Sequence, residues 1–94
     1  MATATVNGTV IARSDTTVVV EGNHYFPPDS IDWQYFDANE RTTGCPWKGT
    51  ANYYDITVGD TTLDNVAWTY REPKDAAAEI KDHVAFYPQV DVAA

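Results

Sequence analysis

Short runs of β-branched and aromatic residues, each closed by a turn signal, dominate the chain and predict strands rather than helices. Val6 opens a first strand, and Asn7-Gly8 is a two-residue hairpin signal from which Thr9 to Arg13 returns. Ser14-Asp15-Thr16 reads as a turn, Thr17 to Glu21 as the next strand, and Gly22-Asn23 as a second turn before His24-Tyr25-Phe26. Pro27-Pro28 stops pairing, because neither residue has an N–H to donate. Ile31, Trp33 and Tyr35 then alternate with Asp32 and Gln34, which predicts a strand with one aromatic face. Asp37 to Gly44 is polar and reads as a loop. Ala51 to Val58 and Leu63 to Tyr70 read as strands joined by a turn at Gly59-Asp60.

One helical segment is predicted after Glu72. Pro73 suits a first helical position, Ala76-Ala77-Ala78-Glu79-Ile80 are mostly good helix formers, and Ile80 must dock on the sheet for so short a helix to persist. Val84, Phe86, Val90 and Val92 mark final extended segments. The expected fold class is mainly β, with antiparallel hairpins and one short helix.

A chain of 94 residues allows one compact core and one domain, residues 1–94, and no linker or repeat divides it. Fourteen acidic against six basic side chains give a net charge of −8. Such a field repels phosphate backbones and anionic lipid surfaces, so neither nucleic acid nor a membrane is an expected partner. No apolar run approaches the ~20 residues of a membrane span. Met1-Ala2-Thr3-Ala4-Thr5 has neither a basic start nor an apolar run, so no signal peptide is expected and the expected setting is cytoplasmic and reducing. The Asn7-Gly8-Thr9 glycosylation pattern is then idle.

The densest chemistry lies in Thr42-Thr43-Gly44-Cys45-Pro46-Trp47-Lys48-Gly49. Lys48 can hold an anionic group as a point charge, or favour the thiolate of Cys45. The plainer reading is a tight turn with Cys45 and Trp47 packed in the core. The aromatics Trp33, Tyr35, Tyr53, Tyr54, Trp68 and Tyr70 either fill the core or line a pocket. Strand alternation puts Trp68 and Tyr70 on one face and sends Tyr53 and Tyr54 to opposite faces. Glu21 and Glu79, flanked by apolar segments, are the candidate acids or bases. Cys45 is the single cysteine, and His24 and His83 have no metal-ligand spacing, so no metal and no cofactor is expected. His83 suits the end of the predicted helix, where positive charge is favoured. Gly44, Lys48 and Gly49 do not make a phosphate-binding loop, and no Ser-His-Asp pattern occurs.

In order, Asn7-Gly8 with Val10-Ile11-Ala12, Val20-Glu21-Gly22, Tyr25-Phe26-Pro27, Cys45-Pro46-Trp47-Lys48-Gly49, Ala67-Trp68-Thr69-Tyr70 with Pro73, and Ile80 to Phe86-Tyr87 resemble the domain of unknown function 427 family. The resemblance runs from about Asn7 to Val92. It implies a β-tent, two antiparallel sheets meeting at an angle, similar to the ligand-binding domain of cereblon and to yippee-type domains. Their structural zinc, held by two cysteine pairs, does not carry over to a chain with Cys45 alone. The family is sometimes labelled nucleotidyltransferase-like, yet this sequence holds no acidic metal-binding pair with a phosphate loop.

These observations support a small domain that binds a small molecule in a cleft between two sheets. Trp47, Tyr53, Trp68 and Tyr70 would line the cleft beside Cys45, with Arg41 and Lys48 as anchoring cations. The alternatives are a small enzyme in the same cleft, with Cys45 as nucleophile, Lys48 stabilising negative charge and Glu21 or Glu79 moving protons, or a protein-interaction module. Oligomeric state is not encoded in these patterns. The cysteine and histidine pattern predicts less than stoichiometric zinc in purified protein; elemental analysis finding one zinc per chain would refute it and require a composite site of Cys45 with His24 or His83.

Overall fold

The computed structural model describes residues 1–94, all of them in antiparallel sheets, 3-10 turns and short connections. Strands β1 (Ala2–Val6) and β2 (Thr9–Ser14) form a hairpin at the predicted Asn7-Gly8 turn, Val6 being the last residue of the first strand and not its opening one, and Asn7 and Gly8 both take positive φ, +49° and +78°. That pair of left-handed residues turns the chain with the twist a two-residue hairpin needs. β9 (Asp91–Ala93) pairs with the other edge of β1, giving a three-stranded sheet in the order β2-β1-β9.

The second sheet runs β5 (Phe36–Cys45), β6 (Gly49–Val58), β7 (Thr61–Thr69), β8 (Val84–Phe86) in sequence order. A ribbon of β3 (Val18–Val20) and β4 (Asn23–Tyr25) continues it, because Phe26 and Val84 exchange backbone hydrogen bonds of 2.8 and 2.9 Å. No helix is long and apolar enough to cross a membrane.

Alternation along β6, β7 and β8 sorts side chains to two faces. Ile56, Ala67, Val84 and Phe86 pack with Ala4, Val6, Ile11 and Phe26 in the core against the first sheet. Tyr53, Tyr70 and Ala85 face the other way, into a smaller core with Tyr25, Ala77 and Ile80. Tyr54 packs on the first core and Tyr53 in the second, so the expected division of this pair holds.

Four local expectations are corrected. The second hairpin turns at Glu21-Gly22 (φ +53° and +80°), one residue earlier than Gly22-Asn23, because Asn23 already pairs with Val20. Ile31 makes only an isolated bridge to Ala12, and Trp33–Tyr35 is a 3-10 turn rather than a strand. Local bonds win there: the Trp33 indole donates to the Pro28 carbonyl at 3.0 Å, and Gln34 donates to Asp32 at 2.9 Å. The polar segment Asp37 to Gly44 is not a loop but most of β5. It forms the outer strand of the sheet, where charged and polar residues guard an unpaired edge. The segment after Glu72 is 3-10, Asp75–Ile80, with Ala77 off helical geometry (φ −122°, ψ 21°), and Pro73 lies outside it. Its two buried residues, Ala77 and Ile80, are three apart, a spacing that the three-residue turn brings onto one face. Ile80 does dock on the sheet.

β5 and β7 each carry an irregularity opposite β6, and one carboxylate ties them together. Asp55 Oδ1 accepts from the Asn39 amide at 2.8 Å and from the Asn65 backbone N–H at 2.9 Å, while Asn65 sits at φ +56°. Bonds to a charged acceptor contribute more than neutral ones. Asp55→Ala is therefore expected to lower unfolding free energy by about 1.5–3 kcal/mol in urea titrations, against less than about 0.5 kcal/mol for the exposed Asp64→Ala.

Candidate functional site

The tip of the β5–β6 hairpin is Pro46-Trp47-Lys48, closed by the pair Cys45–Gly49. Gly49 takes φ +114°, and a Cβ there would sit 3.4 Å from the Glu72 carbonyl oxygen. A glycine therefore lets the tip lie against the Glu72–Lys74 segment. Two bonds lock this contact: the Lys74 N–H donates to the Lys48 carbonyl at 2.9 Å, and Lys74 Nζ to the Pro46 carbonyl at 2.7 Å.

Thus held, Lys48 points inward. It is the one basic side chain buried in the protein, with 8% exposure. Its Nζ donates to Glu21 Oε1 in the only ion pair between two side chains. The rings of Trp47 and Tyr70 lie 5.4 and 5.6 Å from Nζ. Burial pushes the Lys48 pKa down, but the Glu21 bond and the nearby groups of Tyr25, Tyr70 and Cys45 outweigh it, and the net shift is upward. The hydrogen bond from Lys48 holds the Glu21 carboxyl below its ordinary range. Burial raises the phenols of Tyr25 and Tyr70.

From Tyr25 a row of aromatic groups crosses the sheet face. Trp68 Nε1 donates to the Tyr25 hydroxyl at 3.1 Å, and the Trp68 ring lies 4.6 Å from that of Tyr87. Tyr87 stacks on Tyr53 at 6.4 Å with an interplanar angle of 11°. The Tyr53 hydroxyl bonds to Thr43 at 2.9 Å, and the Arg41 guanidinium covers its ring at 5.2 Å. Burial opposes the Tyr53 phenolate, but the bonds with Thr43, Tyr87 and Arg41 prevail and lower its pKa.

The largest hollow, of about 730 Å³, takes its lining from both sheets. Trp68, Phe86 and Tyr87 form one wall, and Val6, Val90 and Val92 contribute from the side of the first sheet. Of the residues expected to line a cleft, Trp68 is found here. Arg41, Cys45, Trp47, Lys48, Tyr53 and Tyr70 do not line this hollow. Cys45, half-buried, borders a separate hollow of about 350 Å³ beside Pro46 and Lys74, which Lys48 does not line. Trp47 is 40% exposed, so it is not a core residue. Glu79 is exposed and unpaired, apart from the Glu21–Lys48 cluster. His83 Nδ1 lies 2.8 Å from the Lys81 carbonyl, just past the 3-10 segment, and His24 Nδ1 lies 2.8 Å from the Thr17 hydroxyl. No group of three or more His, Cys, Asp or Glu side chains converges on one point.

Sequence reasoning passed over Tyr25 and Tyr87 as site residues. The signal for Tyr87 is alternation: it follows Ala85 by two, and Ala85 pairs with Trp68. The signal for Tyr25 is register, since the Glu21-Gly22 turn sets it opposite Val18 at the far end of the ribbon.

A small, mainly β domain of two antiparallel sheets, with one buried cation and an aromatic row on a sheet face, is the class of protein that this geometry defines. The family described as Domain of unknown function (DUF427) matches residues 1–94, and the chain belongs to it. No curated protein matches the sequence significantly.

The Glu21–Lys48 pair sets a pH dependence of stability. A carboxyl held below its ordinary 4.5 contributes above that value, and the contribution is lost as pH falls through the folded pKa. An ammonium raised above 10.5 contributes below that value, and its contribution is lost as pH rises through the folded pKa. The stability difference between the wild type and Glu21→Gln is therefore expected to be flat from about pH 5 to 10 and to shrink beyond both ends. Urea midpoints measured across pH check this, and a difference unchanged in acid would show that the carboxylate is not the contributing group.

Proposed function

We propose that this domain binds a small planar molecule in the hollow between the two sheets. The observation that carries the reading is the pair of Trp68 and Tyr87, tilted at 50° to one another and lining an open space of about 730 Å³. That volume falls in the range of small-ligand sites, which combine apolar walls with a few polar groups. The Trp68 ring is oriented by its bond to Tyr25, so the wall is preformed. The amides of Asn7, Asn23 and Gln89 supply polar groups at the margin, and Asp91 is the only charged residue lining the space. A neutral or cationic ring with hydrogen-bonding edges fits this lining better than an anion. Lys48 and Arg41 are not its anchors in this reading.

The test is a thermal-shift screen of polar aromatic metabolites. A ligand at about 100 Kd adds roughly 2.7 kcal/mol, which for a domain of this size raises the midpoint by roughly 10–20 °C. Trp68→Ala is expected to abolish the shift. Because Trp68 is half-buried, its own cost should stay below the roughly 3–5 kcal/mol of a fully buried aromatic. Lys48→Met should retain the shift relative to its own baseline. A shift lost in Lys48→Met but kept in Trp68→Ala would move the site to the Lys48 end of the second core. Rapid alkylation of Cys45 near neutral pH, slowed by Lys48→Met, would favour the enzymatic alternative.

A further inference from the structure

A buried ammonium is costly to hold, and an apolar side chain of similar volume often serves a core as well or better. Lys48 is buried here all the same, with side-chain exposure of 10%, while the carboxylate that balances it belongs to a side chain 51% exposed. Glu21 therefore reaches the cation from the solvent side. It does so from a hairpin turn in which it holds φ +53°, a conformation that suits glycine or asparagine and strains other residues. Strain of this kind persists where the surroundings demand it, and it gathers at ligand clamps and switches. The turn belongs to the smallest unit of the fold, two strands of three residues each, joined to the main sheet by the Phe26–Val84 pair. Next to Glu21, a Cβ placed on Gly22 would meet nothing within 4 Å, so the turn has open space on that side. The ring of Trp47, 5.4 Å from the ammonium and 40% exposed, forms a wall that solvent reaches.

We propose that Lys48 is a binding site for the carboxylate of a small organic acid, that the Glu21 carboxylate occupies this site as an intramolecular stand-in, and that the β3–β4 turn is the latch that yields it. An incoming carboxylate accepts the hydrogen bond that Lys48 now gives to Glu21, and its apolar body lies against Trp47. Glu21 is released to water, where its charge is readily solvated, and its turn is freed from a conformation it disfavours. Because the stand-in is tethered, it competes at a high effective concentration, and the affinity of the intact protein is reduced by that competition. The proposal concerns a different place from the hollow between the sheets and does not depend on it.

The test removes the stand-in and keeps the turn. Glu21→Gly places the residue most tolerant of positive φ at the strained position, and Glu21→Gln keeps the side-chain length without the charge. Benzoate is the probe and benzamide its neutral control, read by the Trp47 indole N–H resonance. Benzoate is expected to shift that resonance saturably in both variants, with an apparent Kd at least tenfold lower than in the wild type, while benzamide has no effect. Equal benzoate affinity in wild type and variants would overturn the proposal, as would benzamide acting like benzoate, or no saturable shift in any of the three proteins. Trp68→Ala, combined with Glu21→Gly, should leave benzoate binding in place; its loss there would assign the anion to the hollow instead.

Discussion

A 94-residue chain has built a four-stranded sheet whose two faces must both be covered, and this constraint shapes the rest of the molecule. One face meets the β2-β1-β9 sheet in an ordinary aliphatic and phenylalanine core. Little chain remains for the other. It is covered by a ribbon of two three-residue strands and by one 3-10 segment, which supply few large apolar groups. Single leucine usage, at Leu63, sharpens the shortage. Tyrosines fill the second core instead, and tyrosines bring hydroxyls that need partners.

The hydrogen bonds on that face follow from this choice. The Tyr25 hydroxyl is met by the Trp68 indole and the Tyr53 hydroxyl by Thr43. Lys48 enters the same layer as a cation beside Tyr70 and Trp47, and needs Glu21 to neutralise it. A small second core that is polar by composition thus becomes a directed arrangement, because each buried polar atom fixes the orientation of another. On the aliphatic face the one exception is the Thr69 hydroxyl, buried without a hydrogen-bond partner.

Most of the β framework was legible in the sequence because hairpins are local. Asn7-Gly8 and Gly59-Asp60 mark their turns directly, and the alternation of Tyr53 with Tyr54 and of Trp68 with Tyr70 assigns faces without further information. The DUF427 resemblance was legible through an ordered set of short segments rather than one diagnostic stretch. What failed were segments whose structure is decided from outside. β5 looks like a loop because an edge strand exposed on both faces has no apolar alternation to display. Trp33 looks like a strand residue because its local bonds to Pro28 and its packing on Phe36 and Tyr54 are invisible to a period of two. The Cys45–Lys48 segment stood out in the sequence by its density of chemical groups. Its partner did not, since Glu21 lies 27 residues away and reaches Lys48 only because two hairpin tips converge.

The two places that the structure singles out hold different charged groups within a protein of net charge −8. The hollow between the sheets has Asp91 as its only charged lining residue, and so adds to the acidic field around it. Lys48 is the one cation held inside that field, and its buried ammonium is balanced by the Glu21 carboxylate. The two are not remote from each other. Trp68 lines the hollow and donates to the Tyr25 hydroxyl, and Tyr25 packs in the same second core as Tyr70, whose ring lies 5.6 Å from Lys48 Nζ. The same shortage of apolar residues that put tyrosines into the second core has left Trp68, at the hollow, hydrogen-bonded to a tyrosine of the layer that Lys48 enters.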